Sequence, residues 1–237
     1  MKKDKKNIII IDDFLSSDEI ILCKKEISEI KDIKRDEKYL NSNGVVSENN
    51  GIIDNEHKFA SYDRIYIDNY YKDFRDISYI LNLISKKLFS DKIYQKSFKI
   101  NDSSFILLRK STKHETQVTS YGNNDGYNWH IDNSDIDDSD KIEGWNGRIL
   151  NYIIYLNDKG FSGGNLEIIN EYPSDGDVLC SKYKKDHKAD YIIKPKNGRL
   201  VIMPSYLIHR VTKINNSNSD FMNRRLTING HVGFNTF

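Results

Sequence analysis

Two hydrophobic periods divide the chain. Over roughly the first hundred residues apolar positions recur at helical spacing. Ile20, Cys23, Ile27 and Ile30 follow Ser16-Ser17-Asp18-Glu19, a capping-box pattern that starts a helix. Phe74, Ile77, Leu81, Ile84 and Leu88 predict a second amphipathic helix ending near Ser90-Asp91, and Ile8 to Ile11 reads as a short buried strand ahead of both. Beyond them the pattern changes to short apolar or alternating runs: Ser103 to Arg109, Glu115 to Tyr121, Arg148 to Leu156, Asn165 to Ile169, Asp190 to Ile193, Arg199 to Met203 and Arg224 to Val232. Gly, Asn, Asp and Pro turns separate these runs, as they separate strands. Helices first and strands after predict an α+β fold, mainly β, whose strands close into a sandwich or barrel. The polar stretch from Asn41 to Lys58, with Asn-Gly at Asn43-Gly44 and Asn50-Gly51, reads equally as a mobile lid or as a plain solvated connection.

Size and charge narrow the field. The chain has 237 residues, enough for one sizeable core, so a single domain over 1–237 is expected, with 1–100 giving helical support and a lid loop and 101–237 the β core. Its 36 Lys and Arg against 35 Asp and Glu leave a net charge of +1, and no global field draws it to nucleic acid or membrane. Cys23 and Cys180 allow at most one disulfide and no thiol cluster for zinc; Cys23, on an apolar helical face, reads as core filling. After the basic Met1 to Asn7, the apolar run Ile8 to Ile11 is too short for a signal or spanning segment, so a soluble cytoplasmic protein is expected.

The chemistry concentrates in Tyr121 to Asp132. If His130-Ile131-Asp132 is extended, residues two apart point to one face, and an imidazole and a carboxylate converge. His-x-Asp alone is weak in a chain this rich in Asp, but His209 stands just beyond a strongly apolar strand, in Pro204 to Val211, and supplies a third ligand. Two histidines and one carboxylate leave several positions open on one side of a metal ion, which suits iron(II), Fe(2+), serving a keto acid and O2. A 2-oxoglutarate site also needs a cation in an apolar pocket. Arg225 in the strand Arg224 to Ile228 fits, with Thr227 on the same face to assist the guanidinium, whose planar fork suits a carboxylate. His57, His114 and His187 lie in polar stretches and read as solvated; His231 could line the site, although strand packing explains it more simply.

The segment Tyr121 to Asp132, carrying Tyr121, Tyr127, His130 and Asp132, resembles the ligand-bearing strand of prolyl 4-hydroxylases and their oxygen-sensing relatives. Gly147-Arg148 with Ile153 to Asn157, then Ser162 to Ile168, then Lys194 to Met203, His209 and Arg225-Leu226-Thr227 resemble the family's later blocks in order and strand context. The resemblance is dense from about Gln117 to Val232 and thin before it. It implies a double-stranded β-helix, a cupin-like jelly roll flanked by the amino-terminal helices, with iron at its open end. By it Tyr155 gives its hydroxyl to the distal carboxylate of 2-oxoglutarate beside Arg225, Tyr121 lines the same pocket, and Gly163-Gly164 serves a tight strand entry. Without it Tyr155 is a half-buried strand tyrosine, and Tyr121 reads equally as no more than that.

The implied reaction is hydroxylation of a C–H bond with release of succinate and CO2, ascorbate being a candidate activator. A prolyl residue of a peptide or protein is the substrate the family suggests; a free amino acid or other small molecule, or a non-oxidative metal-binding cupin-like domain, are the alternatives. Tyr127, Trp129, Trp145 and Arg148 stand near the ligand strand as candidate substrate contacts, although packing explains the tryptophans equally well. The acidic run Asp135 to Asp140 favours a basic or neutral peptide if it lines the mouth; a solvated loop is its simpler reading. Oxygenases that repair alkylated nucleobases carry a second Arg where this chain has His231, and an Asn where it has Thr119, which argues against a nucleic-acid substrate. The stretch Glu171 to Tyr191 is polar, charged and longer than in the family pattern, a departure that bears on substrate specificity. The sequence carries no sign of oligomeric state.

Overall fold

Alternation along one strand organises the molecule. In the computed structural model, which describes residues 8–33, 40–41, 60–61, 63–67, 78–88, 113–132, 148–171, 186–217 and 220–233, the last strand, β14 (Arg225–Gly233), lies in the middle of the larger sheet. Its even positions Leu226, Ile228 and Val232 pack against helices; its odd positions Arg225, Thr227, Asn229 and His231 look the other way. Gly230 on the packed face lets the Tyr152 ring lie across the strand, where a Cβ would come within 2.0 Å of Cζ, and the Tyr152 hydroxyl meets Thr116 at 2.9 Å.

Around β14 are built β1 (Ile9–Ile11), β2 (Leu40–Asn41), β4 (Asp63–Tyr66), β5 (Lys113–Tyr121), β7 (Arg148–Tyr155) and β11 (Leu200–Pro204), in the order β1-β11-β7-β14-β5-β4-β2. A second antiparallel sheet runs β10-β9-β12-β6-β3, from Tyr191–Ile193, Leu166–Ile169, Ile208–Val211, Gly126–His130 and Ala60–Ser61. A short ribbon pairs β8 (Ser162–Gly163) with β13 (Ile214–Asn215). Tyr155, Val201 and Met203 of the first sheet share a buried cluster with Leu166, Ile168 and Ile193 of the second, so the sheets face one another. This is the mainly β jelly roll, a double-stranded β-helix, that the sequence led us to expect. The expected strand Ser103 to Arg109 and nearly all of the loop Asn41 to Lys58 lie outside the described residues.

Helices cover the outer face of the larger sheet. α1 (Ser17–Ile33) opens with the expected capping box: Ser16 N donates to Glu19 Oε2 at 2.8 Å and Glu19 N to Ser16 Oγ at 3.3 Å. α2 (Tyr79–Leu88) buries Ile80, Ile84 and Leu88; Leu81, expected on that stripe, is half-buried one residue round, and Phe74 and Ile77 lie outside the described residues. Cys23 is fully buried among these side chains, and burial pushes its thiol up to about 12, as befits core filling. Glu26 joins the helices, accepting from Ser78 Oγ at 2.7 Å and from Ile80 N at 2.9 Å at the start of α2. Glu26→Ala strands both donors in the core, so urea denaturation is expected to show a loss of about 2 kcal/mol. Among the described residues no helix is long and apolar enough to cross a membrane.

Candidate metal centre

His130 closes β6 and His209 lies opposite it on β12, the two in direct register with ring centroids 4.1 Å apart. Asp132 comes two residues past the end of β6, held by its amide, which donates to Ser205 O at 2.9 Å. The strand therefore stops short of the carboxylate expected on it, yet one ligand atom from each of His130, Asp132 and His209 lies within 4.8 Å of the others. His130 Nε2 is 3.5 Å from Asp132 Oδ1 and His209 Nε2 is 3.2 Å from Asp132 Oδ2. Each imidazole uses Nδ1 to reach the carbonyl two residues behind it, Asn128 O at 2.6 Å and Leu207 O at 2.8 Å. That turns both Nε2 atoms toward Asp132 and leaves Nε2 as the atom that would offer its lone pair to a metal on losing its proton, the arrangement metal-binding histidines adopt.

The electrostatics suit a cation. Burial alone would raise the Asp132 carboxyl, but the His209 charge and bonds from both imidazoles hold it well below the ordinary value, ready as an anion. Burial, with His209 nearby, lowers His130; His209 also meets burial, which Asp132 outweighs so that its pKa rises. Among the described residues these three form the one group of His, Cys, Asp or Glu side chains able to hold a metal.

Tyr127 stacks on His130, centroids 3.6 Å apart at 23°. Strict alternation would put it on the Trp129 face. A bulge intervenes, because three steps along β6, from Tyr127 to His130, oppose two along β12, from Val211 to His209. Trp129 is turned outward, buried with Ile131, Ile169 and Ile208 under the Arg210 guanidinium at 4.3 Å, so this candidate substrate contact is packing. Arg148 stands at the end of β7 nearest Asp132 and pairs with Glu115; Trp145 lies outside the described residues. His114 and His187 are exposed, as expected.

Behind the triad, Arg225 is 1% exposed. Its Nε donates to Gly164 O at 2.8 Å, and its Cζ lies 4.9 Å from the Tyr121 ring and 5.1 Å from the Tyr155 ring. Arg225 Nη2 and Tyr155 Oη have no hydrogen-bond partner of acceptable geometry although both are buried. Burial raises Tyr155, against the pull of the Arg225 charge, so the phenol stays protonated and can donate. An unpartnered buried guanidinium nitrogen is costly unless an anion meets it, and a carboxylate would satisfy it and the phenol together. Thr227, expected to assist the guanidinium, instead meets Thr119 Oγ1 at 2.7 Å, itself contacted by Asn229 Nδ2 at 2.8 Å.

Gly163 and Gly164 make this pocket fit. Both have positive φ, +76° and +66°, and a Cβ would come 2.1 Å from Lys213 O at Gly163 and 2.6 Å from Arg225 Cδ at Gly164. Gly164→Ala is expected to push the guanidinium off its carbonyl and weaken binding of a dicarboxylate beside it about tenfold, about 1.4 kcal/mol, with metal affinity unchanged.

Residues 116–233 match the model of the 2OG-Fe(II) oxygenase superfamily. The chain belongs to that superfamily. Its donor set of two imidazoles and one carboxylate, with a guanidinium and a phenol free for a dicarboxylate, fits the iron(II) and 2-oxoglutarate that such an oxygenase uses with O2. No curated protein matches it. Among solved structures, a prolyl 4-hydroxylase of Pseudomonas putida shares 16% identity at a TM-score of 0.53, over 98% of this chain and 94% of its own. A prolyl hydroxylase of Trichoplax adhaerens, in complex with a peptide fragment of the hypoxia inducible factor oxygen degradation domain, shares 18% at 0.60, over 97% and 84%. HygX of Streptomyces hygroscopicus, with nickel and 2-oxoglutarate bound, shares 11% at 0.56, over 99% and 85%. These likenesses establish the oxygenase's fold.

Two inward residues of the oxygenase escaped the sequence reading in their present roles. Asn151 Nδ2 donates to Asp132 Oδ2 at 2.5 Å, and His231, expected to be strand packing, contacts Asn151 Oδ1 through Nδ1 at 2.8 Å. Burial, then the Arg148 charge, lowers His231 to about 4, so it is neutral at physiological pH. A polar residue inside the apolar run Ile149 to Leu156 was the one signal available for Asn151.

Proposed function

We propose that this 2OG-Fe(II) oxygenase hydroxylates a prolyl residue of a peptide or protein, with His130, Asp132 and His209 holding iron(II) and Arg225, Tyr155 and Tyr121 holding 2-oxoglutarate. The observation that carries the assignment of the pocket is the pair of unpartnered buried donors, Arg225 Nη2 and Tyr155 Oη, on the inward face of the sheet that closes over the triad. Bound iron(II) and 2-oxoglutarate supply the oxidising power, since decarboxylation of the keto acid to succinate drives insertion of one oxygen atom of O2 into a C–H bond.

The protein's part is to bind, orient and exclude water. Nδ1–H bonds to Asn128 O and Leu207 O keep both imidazoles turned with Nε2 inward. Arg225 neutralises and aims the far carboxylate of the keto acid, and Tyr155 donates to the same group. Tyr121 covers the guanidinium with its ring and keeps water from it. Tyr127, stacked on His130, walls the side toward β3, and Arg148, paired with Glu115 at the near end of β7, is proposed as a substrate contact. A prolyl substrate is supported by fold likeness to two prolyl hydroxylases.

Incubating the protein with iron(II), ascorbate, 2-oxoglutarate and a library of Pro-containing peptides tests this. Peptide-stimulated succinate, with one added oxygen on a prolyl residue, is the expected result. Succinate stimulated only by a free amino acid or other small molecule contradicts the peptide assignment, and metal binding with no succinate under any condition contradicts the oxidative reading.

A further inference from the structure

Of the three ligands, Asp132 alone lies outside a strand. His130 and His209 are fixed by pairing between β6 and β12 and by carbonyls of their own strands. The Asp132 side chain takes its bearing from the opposite sheet: Asn151 on β7 donates Nδ2 to Oδ2 at 2.5 Å, and His231 on β14, directly in register with Asn151, meets its Oδ1 at 2.8 Å. Donor and acceptor roles follow from the chemistry. The Asn151 amide nitrogen donates to the Asp132 carboxylate, so its oxygen faces His231, which must then donate from Nδ1.

We propose that His231 and Asn151 are positioning residues, a two-link chain from β14 through β7 that holds Asp132 so that one carboxylate oxygen is committed to Asn151 and the other is left for the metal. The proposal rests on the reading of His130, Asp132 and His209 as the metal site. Its consequence would be a carboxylate that offers a single oxygen to a metal held by His130, Asp132 and His209. His231 acts through Asn151; its Nδ1 is 4.0 Å from Asp132 Oδ2, beyond a direct hydrogen bond. Partners that orient a ligand in this way typically govern metal affinity by about 10- to 100-fold.

The test is Co(II) titration of the full chain, read by the visible absorption of the bound ion and so independent of turnover. Asn151→Ala and His231→Phe, which keeps a ring but loses the donor, are each expected to weaken Co(II) binding about tenfold or more. The double variant is expected to be no more than about threefold weaker than Asn151→Ala alone, because both act through one chain. His231→Asn, whose amide nitrogen can stand where Nδ1 stands, is expected to restore affinity to within about threefold of wild type. Thermal unfolding without metal checks that each variant folds, and His231→Leu replaces His231→Phe if the latter does not. Wild-type affinity in His231→Phe, losses that multiply in the double variant, or His231→Asn as weak as His231→Phe would each overturn the inference. Failure of the wild-type protein to bind Co(II) at all is a different result, which overturns the metal-site reading beneath it.

Discussion

Arg225→Leu is expected to weaken 2-oxoglutarate binding to the metal-loaded protein by about 100-fold or more while leaving metal affinity within about twofold. The guanidinium is among the largest fully buried side chains of the described residues, and one of its nitrogens has no protein partner. Losing one member of a buried charge pair costs about 3–5 kcal/mol, because the other charge is left without its counterpart. Arg225→Lys should fall between, since an ammonium keeps the charge but not the planar fork that can grip a carboxylate while Nε holds Gly164 O. Without ligand the leucine variant should unfold at the same temperature as wild type or above it, because an incompletely satisfied buried cation has been removed. Isothermal titration of 2-oxoglutarate onto Mn(II)-loaded protein, with a thermal scan of each variant, checks both parts.

His209→Ala should abolish succinate formation and weaken Co(II) binding by more than about 100-fold, the second-largest effect expected. The residue supplies one of the two imidazole nitrogens of the triad, and among the described residues no other His, Cys, Asp or Glu joins that group to replace it. His114→Ala on the exposed edge of β5 is the control, and its Co(II) affinity and turnover should match wild type. A loss in His209→Ala no greater than in His114→Ala would remove His209 from the metal site.

The parts of the site that were legible in the sequence are those where alternation holds without interruption. β14 is one: Arg225, Thr227, Asn229 and His231 share a face because the strand pairs with β5 in unbroken register over nine residues and with β7 as far as Val232, and the position of Arg225 could be read at once. Tyr127 is the contrasting case. The β6 bulge is set by pairing with β12, a partner distant in the chain, so the stacking of Tyr127 on His130 could not be foreseen from spacing, whereas the turn of Trp129 away from its neighbour His130 is what alternation gives. Asn151 and His231 were obscured for another reason: one polar residue in a strand bonds into the interior or faces solvent with the same local pattern, and its partner is fixed only by register across β7 and β14. Strands of two residues, such as those at Leu40, Ala60, Ser162 and Ile214, are too short to carry any period and exist through pairing alone.

The most direct test is equilibrium binding of 2-oxoglutarate in the absence of O2, with and without metal, to wild type, Asp132→Ala and Arg225→Leu. One equivalent bound by wild type only when Mn(II) or Fe(II) is present, and greatly weakened by either substitution, is the outcome required if the triad and the guanidinium form one site. Binding that is indifferent to metal, or that survives Arg225→Leu at wild-type strength, would contradict it.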